Sequence, residues 1–109
     1  MILHVVALRW KDGVSNDDVA RLCNELITFR GRVDCLIDYR FGPDLGLRPG
    51  NADFGIVALV ESPEALAAYL DHPAHQLLVK DVIAPMSASR TAVQITVEGA
   101  LQVPDRHQA

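Results

Sequence analysis

Asp53 to Leu70 reads DFGIVALVESPEALAAYL, and the fold is decided where its two halves meet. Asp53 to Glu61 is apolar and β-rich, the pattern of a strand. Ser62-Pro63-Glu64 then supplies an N-cap hydroxyl, a proline at the first helical position and an acid near the positive helix end. A helix therefore starts there and runs through Leu66 and Tyr69 to Leu70. The front of the chain is arranged the same way. Ile2 to Trp10 reads as a strand with Ile2, His4, Val6, Leu8 and Trp10 on one side and Leu3, Val5 and Ala7 on the other, so both of its faces need cover. Lys11-Asp12-Gly13 turns the chain, and Ser15 with Asp18 forms a capping-box pattern that starts a helix near Asn16. Val19, Leu22, Cys23, Leu26 and Phe29 make one apolar stripe on that helix, which ends about Arg30 with Gly31 where a C-terminal cap is wanted.

Each strand-helix unit is followed by another strand. Cys35 to Phe41 alternates with period two and stops at Gly42-Pro43. Pro43 to Ala52 is a hairpin connection longer than the tight two-residue type, long enough to serve as a lid. Pro73 lacks an N–H and clashes with the preceding turn, so the second helix breaks at Asp71-His72. A new helical segment runs from Pro73 to about Ala84, closed by Pro85, and Arg90 to Glu98 alternates as the fourth strand. The order is a split βαβ pattern: an α+β, ferredoxin-like βαββαβ chain with a four-stranded antiparallel sheet and both helices on one face. The other face, with Leu3, Val5 and Ala7 and one parity of the third strand, is left bare, which predicts self-association. Residues 1–100 are expected to form one domain, and 101–109 a C-terminal tail that frays from Pro104.

The chain has 109 residues, half of them apolar, with a net charge of −4. That size fits one core, and the composition excludes disorder and low complexity. The acidic balance, without a basic run, excludes a nucleic-acid partner. No apolar stretch approaches a membrane span and no basic leader is visible, so the expected location is cytoplasmic. Cys23 and Cys35 have neither zinc nor CxxC spacing and are read as reduced thiols.

Ala68 to His75, AYLDHPAH, gathers a phenol and two imidazoles around the helix break. His75, at the start of a helix, feels the positive dipole end, which disfavours imidazolium and suits a general base. Tyr69 can donate a hydrogen bond to a developing enolate. His72 precedes Pro73 and reads as a helix cap. His4, a lone imidazole among Ile2, Val6 and Leu8, must be hydrogen-bonded or face a cavity, and a cavity would link it to His75. No metal-ligand spacing, nucleophile elbow, phosphate loop or dinucleotide fingerprint is present.

With His4-Val5-Val6 opening the first strand, Ser62-Pro63-Glu64-Ala65-Leu66 leading the second helix and Tyr69-Leu70-Asp71-His72-Pro73-Ala74-His75 after it, the chain resembles the stress-responsive A/B barrel family from about Ile2 to Glu98. The resemblance implies a subunit that pairs face to face into a dimeric α+β barrel. In plant polyketide cyclases of this family, of the olivetolic acid type, a Tyr-His pair promotes intramolecular aldol closure without cofactor or metal. The matching positions here are Tyr69 and His75, with His4 as the strand-one histidine. Two other pocket positions differ: the tyrosine of the cyclases' first helix aligns with Leu26, and a histidine entering their third strand aligns with Phe54, which makes the pocket more apolar. The expected substrate-binding wall is Leu26, Phe54, Val6, Leu66 and Val79.

The leading expectation is a cofactor-free homodimeric enzyme, cyclase-like or a related lyase or isomerase, acting on a small apolar carbonyl compound. His75, Tyr69 and His4 would be its catalytic residues. The alternatives are a non-catalytic, stress-associated small-molecule-binding dimer and a dimeric-barrel monooxygenase.

Overall fold

The computed structural model describes residues 1–98. Strand β1 (Ile2–Trp10) is followed by α1 (Asn16–Arg30), β2 (Asp38–Pro43), β3 (Phe54–Val60), α2 (Pro63–Leu70) and α3 (Pro73–Leu78). A π-helical turn (Val79–Ile83) and a short helical turn α4 (Ala84–Met86) then lead into β4 (Ser87–Thr96). The strands form one antiparallel sheet in the order β2-β3-β1-β4, the ferredoxin-like arrangement expected from the alternation of units. The expected tail, 101–109, lies outside the described residues.

Local chemistry sets the helix starts. Ser15 Oγ accepts from the Asp18 N–H (3.1 Å) while Asp18 Oδ2 accepts from the Ser15 N–H (2.9 Å), a complete capping box. Ser62 Oγ accepts from the Ala65 N–H (3.1 Å), with Pro63 opening α2. Gly31 does end α1, but with φ −72° it stays right-handed and forms no left-handed cap. Gly13 is the residue of the first turn that needs positive φ (87°), as its lack of a Cβ allows.

Several boundaries differ from the sequence reading. β2 begins at Asp38, not Cys35; only the Ile37 N–H reaches β3 before it, bonding the Leu59 carbonyl. Pro85 does not close the helical segment. Its ring would crowd the carbonyl four residues back, and the backbone widens instead into the π turn, in which the Ala84 N–H bonds the Val79 carbonyl. β4 begins at Ser87 and ends at Thr96 rather than spanning Arg90 to Glu98. The β2–β3 connection, expected to be long enough for a lid, is tied down by side-chain hydrogen bonds. Asp44 ties Gly46 (2.9 Å) and Asn51 (3.0 Å), and Arg9 holds the Gly50 carbonyl (2.7 Å), at the opposite end of β1 from His4.

Strand register sorts the side chains onto two faces. On the helix-covered face, Tyr39, Ala58, His4 and Gln94 form one cross-strand row; Phe41, Ile56, Val6 and Ala92 form the next; Pro43, Phe54, Leu8 and Arg90 form the third. Leu22, Leu26 and Phe29 of α1 pack onto these rows and make the core with Leu78, Val82 and Ile83. On the other face the rows are Leu59, Leu3, Ile95 and Val57, Val5, Val93. Among the described residues nothing covers them, and Val93 and Ile95 are about half exposed (52% and 48%).

Candidate functional site

The helix break at Pro73 creates the site's chemistry. In an unbroken helix the Leu70 carbonyl would accept from the Ala74 N–H. Here that N–H is taken by His72 Nδ1 (3.0 Å), the cap expected from its place before Pro73. The Leu70 carbonyl is left to accept from His75 Nδ1 (3.0 Å) and from Gln76 Nε2 (3.1 Å). A carbonyl only accepts, so the proton of the neutral imidazole sits on Nδ1 and the lone pair on Nε2. His75 is thereby held in the tautomer of a base.

His75 meets Tyr69 edge-on, with ring centroids 4.9 Å apart. Tyr69 is almost fully buried (2% exposed) and also meets His4 at 5.9 Å and Tyr39 at 6.2 Å. Phe29 of α1 stands at the hub, 5.9 Å from Tyr39, 5.9 Å from Tyr69 and 5.7 Å from His75. His4, 1% exposed, satisfies both alternatives the sequence left open. Its Nδ1 accepts from Gln94 Nε2 (2.8 Å), the facing residue of β4, and its ring also borders a cavity.

That cavity, of about 20 Å³, is lined by His4, Tyr39, Tyr69, His75 and Arg90 on its polar side. Val6, Leu8, Ile56, Leu78, Val79 and Ile83 complete it. The volume suits about one water molecule. Of the site residues expected from the sequence, His4, Tyr69, His75, Val6 and Val79 line this one cavity. Leu26, Phe54 and Leu66 are not among the lining residues: Leu26 is fully buried in the packing of α1 on the sheet, Phe54 stacks against Trp10 (5.6 Å), and Leu66 packs against the core.

Electrostatics favour neutral rings. Burial holds the pKa of His75 below the ordinary histidine value, opposed by the Leu70 bond and reinforced by Arg90. Burial likewise lowers His4, with Arg90 and His75 adding to it. The Tyr69 phenol is pushed up by burial, which the Tyr39 phenol and Arg90 partly counter. Tyr39 is pushed up by burial and by Tyr69. The site thus offers an uncharged base beside a protonated phenol. Among the described residues no three His, Cys, Asp or Glu side chains are grouped to hold a metal ion, and no helix is long and apolar enough to cross a membrane.

Sequence reasoning passed over Tyr39, Gln94 and Arg90. Tyr39 had a signal in the alternation of β2. Gln94 and Arg90 reach the site only through the pairing of β4 with β1, which no local spacing reveals.

The family model of the stress responsive A/B barrel domain matches residues 2–97. The chain belongs to this family. An uncharacterized protein of Streptomyces coelicolor is 37% identical over 79 residues, covering 70% of this chain and 80% of that one. Among solved structures, a dimeric ferredoxin-like protein of unknown function from Thermobifida fusca shares 40% identity at a TM-score of 0.83, covering 88% of this chain and 90% of its own. A hydroxynitrile lyase from Passiflora edulis superposes at a TM-score of 0.77 with 13% identity, over 93% of this chain and 96% of its own, a likeness of fold alone. The A/B barrel assignment covers β1 to β4 and so includes every residue of the cavity.

Proposed function

We propose that this A/B barrel protein is a homodimeric, cofactor-independent acid–base enzyme acting on a small apolar carbonyl compound. The observation that carries the reading is the Leu70–His75 bond, which leaves Nε2 basic beside the buried Tyr69 phenol. His75 Nε2 takes a proton α to a carbonyl, the C–H electron pair passes into the enolate, and the Tyr69 O–H donates to the enolate oxygen. In aldol closure the enolate carbon then attacks a second carbonyl of the same molecule, and the proton on Nε2 returns to the new alkoxide. His4, oriented by Gln94, positions the carbonyl. Pairing through the rows of β1, β3 and β4 left bare by the described residues supplies their cover, and the Thermobifida fusca relative is dimeric.

A second reading has its own support. A cavity of about 20 Å³ is far below the several hundred Å³ of ordinary ligand pockets, which suits a protein that binds a ligand only on opening and performs no chemistry. The experiment that separates the two is α-proton exchange in D₂O with a panel of alkyl methyl ketones, 1,3-diketones and 2-oxo acids, followed by NMR. The enzyme reading expects exchange above buffer that falls about 10²–10⁴-fold in His75→Ala. Exchange at the buffer rate in the unaltered protein, or full exchange in the variant, refutes it.

A further inference from the structure

We propose that Arg90 is a specificity-determining residue which pairs with a carboxylate on the ligand, so that the substrate class is an oxo acid with an apolar tail. This rests on the acid–base reading of the cavity and deepens it. Arg90 stands opposite Leu8, on the helix-covered face, and is the one lining residue that is exposed. His4 and Tyr69 are buried and His75 is half-buried. The cavity thus has a cation at its solvent end and the base and phenol inside. Among the described residues no Asp or Glu lines it, and the ion pair found is Arg40 with Asp38, not one involving Arg90.

A guanidinium fork matches a planar carboxylate with two parallel hydrogen bonds. A ligand that places its carboxylate on Arg90 sets a neighbouring carbonyl toward Tyr69 and its tail against apolar residues such as Val6, Ile56 and Val79. The charge has a second consequence. Arg90 holds the basicity of His75 down, so an anion that neutralises it strengthens the base once the right ligand is bound.

The test compares two probes of nearly equal shape, 2-oxooctanoate and its uncharged amide 2-oxooctanamide. Both must open the cavity alike, so their difference isolates the charge. Affinities are measured by calorimetry, with the His75 ring followed by NMR to confirm the site. The expected result is a preference for the acid of about tenfold or more at low salt, decaying as salt is raised. Arg90→Met abolishes the preference while still binding the amide, and Arg90→Lys keeps part of it. Equal affinities in the unaltered protein, a preference that persists in Arg90→Met, or no binding of the acid up to about 10 mM overturns the proposal. Should Arg90→Met fail to fold, Arg90→Lys and the salt dependence decide it. Failure of the acid–base reading looks different: both probes bind and shift His75, yet neither exchanges its α-protons.

Discussion

Replacing Gln94 by leucine removes the donor to His4 Nδ1, a bond of 2.8 Å onto an imidazole that is 1% exposed. Leucine suits an exposed strand position as well as glutamine does, so the change isolates the hydrogen bond. A buried acceptor left without a partner costs about 1–3 kcal/mol. Gln94 itself is exposed, so water can approach the vacated side, which places the expected loss near the lower end, about 1–1.5 kcal/mol. In a chain of this size that corresponds to a fall in Tm of about 4–12 °C. The loss must vanish when the acceptor is gone: in a His4→Phe background, Gln94→Leu should be neutral, giving a coupling of about 1 kcal/mol in a double-mutant cycle. Unfolding is followed by urea and by heat at one fixed protein concentration, because self-association shifts apparent stability. If Gln94→Leu has the same effect with His4 present and absent, the hydrogen bond does not hold the imidazole and the positioning role assigned to the pair is wrong.

Other expectations can be checked with the same material. Burial depresses both His4 and His75 in the folded chain, so between the ordinary histidine value of 6.5 and the lower folded values the unfolded state binds more protons. Stability is then fully present above about pH 6.5 and is lost as the pH falls through the folded pKa values. Arg90 and the paired imidazole act on His4, and Arg90, Asp71 and His72 act on His75; urea midpoints across pH 4–8 should show the decline, flattened in His4→Phe/His75→Gln. Leu22, fully buried on α1, should cost about 2–5 kcal/mol when cut to alanine, measured by urea unfolding. Val5→Glu sets a charge in the middle of the uncovered apolar rows and should give monomers in sedimentation at micromolar concentration, where the unaltered protein sediments as a dimer.

The parts of this structure that were legible in the sequence are those fixed by neighbours along the chain. Ser15 with Asp18 and Ser62 with Pro63 each act within one helical turn, and both helix starts fall where those residues place them. The break at Asp71-His72 follows from one missing N–H. Pro85 carries the same deficiency, yet it widened the helix instead of ending it. An isolated proline states only which hydrogen bond is lost, and the packing of Val82 and Ile83 into the core decides how the backbone absorbs the loss. β2 starts later than its alternation implies for a similar reason: the alternation at Cys35 and Ile37 is real, but a strand needs a partner in register, and β3 ends at Val60.

The same division runs through the cavity. Tyr69 and His75 share a short motif, and the motif also dictates the tautomer, because the proline that parts two helices frees the carbonyl that His75 needs. His4, Gln94 and Arg90 meet them only because β1 lies between β3 and β4, so that residues 90 apart in sequence face each other across two strands. The base and its phenol are therefore local properties that any chain with this motif can carry. The orienting amide and the cation at the cavity's open end belong to the last strand, whose sequence can change without disturbing the helix break. On the proposed reading, proton transfer and ligand selection fall on separate elements of the fold, one fixed by a proline and the other by strand register.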